Sequence, residues 1–193
     1  MTFTDLGLDD RLVKALESHE VVDPTPIQKQ AIPRIISGND VIGISPTGTG
    51  KTFAFLLPAI HWLLRAKIKH QDPSILIIVP TRELVKQTQD NIKIVIKNTE
   101  VFSASIVAGT KEGKQKREFK NLVEIIVATP GRLNQFIDDK VMTLSNIGIL
   151  IVDEIDRLLD MGFQIELKSI IGHLPHKNKR QTLLYCSTLP KEV

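Results

Sequence analysis

Six short runs along the chain are dominated by apolar and β-branched residues: 40–45 (DVIGIS), 74–79 (SILIIV), 102–107 (FSASIV), 124–128 (EIIVA), 148–152 (GILIV) and 182–186 (TLLYC). Several are apolar throughout rather than alternating, the pattern of strands buried on both faces. Between them the apolar positions recur at helical spacing, predicting helices near 10–18, 26–37, 51–66, 82–98, 112–120, 131–139 and 163–173. Strand and helix in alternation predict an α/β domain, a mainly parallel sheet with helices on both faces. Such sheets bind ligands at the carboxyl ends of their strands. The segments leaving the six runs are Ser45 onward, Pro80-Thr81-Arg82-Glu83, Ala108-Gly109-Thr110, Thr129-Pro130-Gly131-Arg132, Asp153-Glu154 and Ser187-Thr188.

Composition narrows the class. A chain of 193 residues, 42% hydrophobic and 24% charged, suits one globular domain and excludes a mainly disordered or low-complexity chain. The net charge of +3 permits a nucleic-acid partner without demanding one. The single cysteine, Cys186, excludes an internal disulfide and a cysteine-based zinc site and suits a reducing compartment. The five histidines show no metal-binding HExxH spacing. The most apolar run, 53–64, is broken by Pro58 and His61 and is too short to span a bilayer. The N-terminus lacks the layout of a secretory or transit signal. A soluble intracellular protein, cytoplasmic or nuclear, without membrane contact is expected.

The turn after the first run reads Ser45-Pro46-Thr47-Gly48-Thr49-Gly50-Lys51-Thr52, a phosphate-loop pattern with Ser45 where the first glycine usually stands. Gly48 and Gly50 let the backbone curl so that its N–H groups face phosphate oxygens, and the helix that follows adds its positive end. Lys51 would reach the β- and γ-phosphates and Thr52 would offer its hydroxyl to Mg²⁺. Asp153, after the fifth run, is the candidate second Mg²⁺ residue, and Glu154 the candidate base for the attacking water. The plainer alternative is a pair of acids that caps the next helix.

Taken in order, the loop 45–52, Pro80-Thr81-Arg82-Glu83-Leu84, Thr129-Pro130-Gly131-Arg132, Val152-Asp153-Glu154-Ile155-Asp156 and Cys186-Ser187-Thr188 resemble the first core lobe of a DEAD-box RNA helicase, a RecA-like P-loop domain. The resemblance covers nearly the whole chain, 1–193, as one lobe, with residues 1–30 as its adenine-reading segment. It implies ATP and Mg²⁺ as cofactors, with Phe3 packed on adenine and Gln28 bonded to its edge. Thr25-Pro26-Ile27-Gln28 equally fits a helix capping box, and Phe3 a hydrophobic staple. The resemblance also implies backbone-led RNA contacts from Pro80, Thr81, Arg82, Gly109, Thr129, Pro130, Gly131 and Arg132. Asp156, Cys186, Ser187 and Thr188 would couple hydrolysis to strand separation. The basic stretch 111–120 either widens the RNA footprint or forms a solvated helix face.

Four positions depart from the family pattern: Ile155 for alanine, Cys186-Ser187 for Ser-Ala, Glu20-Val21 for the Gly-aromatic pair, and Gly109-Thr110 for paired glycines. A thiol is a weaker donor than a hydroxyl, which puts coupling through position 186 in question. The family's second lobe, with its arginine fingers, would follow Val193, so this chain is expected to be one lobe that binds nucleotide weakly and hydrolyses it slowly alone. Two further readings stay open: an ATP-gated RNA clamp or scaffold with little hydrolysis, and a P-loop enzyme acting on a small molecule. Protein cofactors are a further possible class of partner.

Overall fold

All six apolar runs form strands of one parallel sheet in the computed structural model, which describes residues 1–66, 72–109, 113 and 122–191. In chain order the strands are β1 (Val41–Ile44), β2 (Ile75–Ile78), β3 (Ser103–Ile106), β4 (Ile125–Ala128), β5 (Ile149–Val152) and β6 (Gln181–Cys186). They lie side by side as β1-β6-β5-β2-β4-β3, every pairing parallel.

The helices divide between the two faces. On one face lie α1 (Asp10–Glu17), α2 (Pro26–Ile36), α3 (Lys51–Ala66) and α4 (Arg82–Ile96), packed on Ile75, Ile77, Ile149, Ile151, Leu183 and Tyr185. On the other lie α5 (Pro130–Asp138), α6 (Ile155–Asp160) and α7 (Gln164–Gly172), packed on Leu76, Ile78, Ile126, Leu150 and Val152. Successive strand residues therefore feed opposite layers, which is why β2, β4 and β5 are apolar at every position. Each fully buried Ile or Leu of these strands contributes roughly 1.5–3 kcal/mol relative to exposure.

Two expectations needed revision. The edge strand β1 is not buried on both faces: Ile42 and Ile44 are about half exposed (51% and 50%). It pairs only with β6 among the described residues. Helix α6 was not anticipated as a separate element. Its six residues are too few for a period, and it starts from Glu154 in the left-handed region with no side-chain cap. The helix expected at 112–120 lies outside the described residues, as does the basic stretch it carries, apart from Gly113. Among the described residues no helix is long and apolar enough to cross a membrane.

Because every strand runs the same way, their carboxyl ends share one edge of the sheet. Ser45, Pro80, Ala108, Thr129, Asp153 and Ser187 all leave the sheet there.

Candidate functional site

The loop after β1 is held from both sides. Ser45 N donates to Cys186 O of the neighbouring strand at 3.1 Å. Inside the loop, the Ser45 and Thr49 hydroxyls pair at 2.7 Å, and Thr49 Oγ1 donates to Pro46 O at 2.8 Å. Ser45 thus fastens the loop with a hydroxyl where a glycine would leave it bare. Gly50 has φ +91°, and a Cβ there would lie 2.5 Å from Gln28 Nε2, so both conformation and space require glycine. Lys51, the first residue of α3, is buried and curls back to donate from Nζ to Ser45 O at 2.5 Å and Pro46 O at 3.2 Å. The same ammonium lies 3.4 Å from Ser187 Oγ and so links the loop to the segment after β6.

Gln28 is a strut for this loop. Its Oε1 accepts Thr25 N at 2.9 Å, the return half of the capping box that starts α2, and its Nε2 donates to Gly50 O at 2.9 Å. The side chain is only 2% exposed. Phe3 is equally buried, in the core layer with Leu6, Leu8 and Leu12. The structure brings Gln28 to the loop through a hydrogen bond, whereas Phe3 is seen in its packing role.

The acids after β5 face the loop with different surroundings. Asp153 is 7% exposed and accepts Glu154 N at 2.9 Å. Burial pushes its carboxyl up to about 6, outweighing the Glu154 N–H bond and the nearby Lys51 charge. Glu154 sits at φ +50°, an unfavourable conformation for a residue with a Cβ, and its Oε2 accepts Arg157 Nη1 at 3.2 Å. Asp156 Oδ2 accepts Ser187 N at 2.9 Å and Thr188 N at 3.0 Å. Burial works to raise the Asp156 carboxyl, but the N–H groups of Thr188, Ser187 and Arg157 together hold it below the usual value. Cys186 takes no part through sulfur: its side chain is fully buried in the core layer of α5 and α6. Ile155 packs in that same layer, 9% exposed.

Beyond the acids, a cleft of about 520 Å³ is lined by Ala108, Gly109, Thr129, Gly131, Arg132, Gln135 and Phe163. Gly109 has φ +80°, and a Cβ there would come within 2.7 Å of Arg82 Nη1, so the guanidinium occupies the space a side chain would need. Thr81 Oγ1 accepts Leu84 N at 3.3 Å and caps α4, while Pro80 is buried beneath it. Thr129 stands at the N-cap of α5 and Pro130 at its first turn, but the Thr129 side chain makes no capping bond. Arg132 donates to Gln135 Oε1 and stacks 5.0 Å from the Phe136 ring. Gln135 and Phe163 were not foreseen. The i, i+3 spacing of Arg132 and Gln135 was a legible signal, while Phe163 reaches the cleft through a turn at Gly162 that no periodicity marks.

A profile of the DEAD/DEAH box helicase family matches residues 25–193. The chain belongs to this family. It is 44% identical to ATP-dependent RNA helicase DBP3 of Lodderomyces elongisporus over 88% of the chain and 31% of that protein. It is 41% identical to ATP-dependent RNA helicase DBP4 of Scheffersomyces stipitis over 99% of the chain and 25% of that protein. DEAD-box ATP-dependent RNA helicase 40 of Arabidopsis thaliana is 37% identical over 100% of the chain and 18% of that protein. The chain thus spans between 18% and 38% of the length of the relatives it matches. As expected for a RecA-like DEAD-box lobe, the sheet is parallel with helices on both faces.

Among the described residues no cluster of three or more His, Cys, Asp or Glu could hold a metal by itself. A site for Mg²⁺ needs only one or two protein oxygens when phosphates supply the rest. The buried Asp153 carboxylate, only partly compensated by Lys51, has the character such a site requires.

Proposed function

We propose that this chain is the nucleotide-binding and RNA-gripping first lobe of an ATP-dependent RNA helicase, one lobe over residues 1–193. The observation that carries the reading is the ammonium of Lys51. It joins the Gly-rich loop at Ser45 O (2.5 Å) to Ser187 (3.4 Å), in the segment whose N–H groups bind Asp156. One cation thereby touches both the loop and the coupling segment.

In this reading the N–H groups from Thr47 onward in the loop and the Lys51 ammonium hold the phosphates of ATP. Thr52 and Asp153 would hold Mg²⁺, which when bound would supply positive charge beside the phosphates. Glu154, oriented by Arg157, accepts the proton of the water that attacks the γ-phosphorus while the bond to the ADP oxygen breaks. Gln28 reports adenine occupancy to the loop through its bond to Gly50 O. Phe3 would act on adenine from beneath, as packing. Thr81 and Thr129 at helix starts, with Arg82, Arg132, Pro80, Pro130, Gly131 and Gly109, grip RNA phosphates without reading bases. The Asp156 contact to Ser187 and Thr188 relays the state of one site to the other. The second lobe supplies the remaining charge and closes the clamp, so local unwinding needs both. Its partners are RNA, that lobe, and such protein cofactors as regulate closure, inside the cell.

The clamp or scaffold reading rested on a weakened donor at Cys186. The Asp156 contacts come from Ser187 and Thr188 instead, which supports the hydrolytic reading. RNA-stimulated phosphate release by the full-length protein tests it. Release that rises with RNA and vanishes in Glu154→Gln is expected. ATP and RNA binding without turnover would return the clamp to first place.

A further inference from the structure

Below the cleft, a second groove of about 410 Å³ runs between α4 and the edge strand β3. Among the described residues its lining carries Arg82, Lys86 and Lys93 against one carboxylate, Asp90, which pairs with Lys93 at 3.0 Å. Among the described lining residues only Val85, Ala104 and Val107 are apolar, so they offer little to an apolar segment. Ser103 and Ser105 edge it with hydroxyls, and Ser103 Oγ donates to the buried Gln89 at 2.8 Å. The two hollows are neighbours across Arg82, which lines this groove and lies against Gly109, a lining residue of the cleft.

We propose that this groove is a second RNA-backbone subsite, which takes the single strand as it leaves the Gly109–Arg132 cleft. The proposal rests on the RNA-binding reading and extends it. Arg82, Lys86 and Lys93 recur at i, i+4 and i+11, one face of α4. At 1.5 Å per residue they span about 16 Å, the length of roughly five stacked nucleotides. Three cations and the Ser105 hydroxyl along that line match a chain of phosphates. Asp90 tunes the site by holding Lys93. Basic side chains facing phosphates add affinity and salt dependence without sequence preference.

The test is anisotropy of fluorescein-labelled oligouridylates of about six and about twelve nucleotides, titrated with this chain across a salt series. The exposed Lys86→Gln/Lys93→Gln double variant keeps good helix formers in α4. It is expected to leave the short RNA unchanged and to remove the extra affinity of the long one. Its slope of log K against log salt should fall by about 1.4, at about 0.7 per lost contact. Asp90→Asn, which frees Lys93, should tighten the long RNA alone. Equal effects on both lengths, or none on the long RNA, overturn the subsite while leaving the cleft reading intact. Displacement of the long RNA by polyglutamate of equal charge as readily as by unlabelled RNA would assign the groove to an acidic peptide and overturn it too. If the parent binds neither RNA, the RNA-binding reading itself fails and the subsite with it.

Discussion

Asp153→Asn should stabilise the free protein. The carboxyl is buried and its pKa is raised from 3.8 to about 6, so ionising it opposes folding. Well below pH 3.8 the acid is protonated folded or unfolded, and the penalty is absent. Between about 4 and 6 the unfolded chain loses its proton first, and stability falls as pH rises. Above about 6 the whole penalty is present, about 3 kcal/mol at about 1.4 kcal/mol per pKa unit. Asparagine carries no charge and can still accept the Glu154 N–H bond through Oδ1. Its amide N–H₂ needs partners of its own, so about 3 kcal/mol is an upper figure. For a domain of this size each kcal/mol moves Tm by about 2–4 °C. Thermal melts in EDTA from pH 4 to 8 should show the two proteins converging at the acid end and the variant higher at pH 8, by several degrees. Mg²⁺ with ATP should then reverse the order, since ligand binding stabilises the parent more. A variant no more stable than the parent at pH 8 would refute the argument that Asp153 is a desolvated carboxylate that opposes folding.

Three other outcomes follow from the same geometry. Gly50→Ala forces a Cβ into the left-handed region and against Gln28, so nucleotide affinity in a titration should fall more than tenfold while the fold, checked by circular dichroism, persists. Glu20 occupies φ +60°, and Glu20→Gly should raise stability in urea by about 1 kcal/mol; a loss would show that side chain to be packing usefully. His61 is held below its usual value by burial and Arg65, and its Nδ1 accepts Asp9 N at 3.0 Å. The neutral ring therefore supports folding above about pH 6.5, and that support is lost as pH falls below it. His61→Gln should flatten the stability profile below about pH 6.5.

Much of the fold was legible because buried parallel strands are apolar at nearly every position, and the six runs stand out between longer helical periods. The loop at Ser45–Thr52 and the acids at Asp153–Asp156 were legible because phosphate and metal chemistry allow few residue types at those spacings. What sequence did not show was how side chains divide their bonds. Gln28 spends its two ends on Thr25 and Gly50, Cys186 turns its sulfur into the core, and Ser187 meets Lys51 across the sheet edge. These depend on which strands are neighbours, and β1 and β6 are far apart in the chain but adjacent in the sheet. The exposure of Ile42 and Ile44 was hidden for the same reason, since an edge strand reads like a central one.

The central claim is that Lys51 and its loop form a nucleotide site that Gln28 ties to the adenine side. Calorimetric titration of Mg²⁺–ATP and Mg²⁺–GTP into the parent, Lys51→Ala and Gln28→Ala tests it most directly. The account predicts that the parent binds ATP in preference to GTP, that Lys51→Ala abolishes binding of both, and that Gln28→Ala erases the preference. Equal ATP affinity in the parent and Lys51→Ala would contradict it.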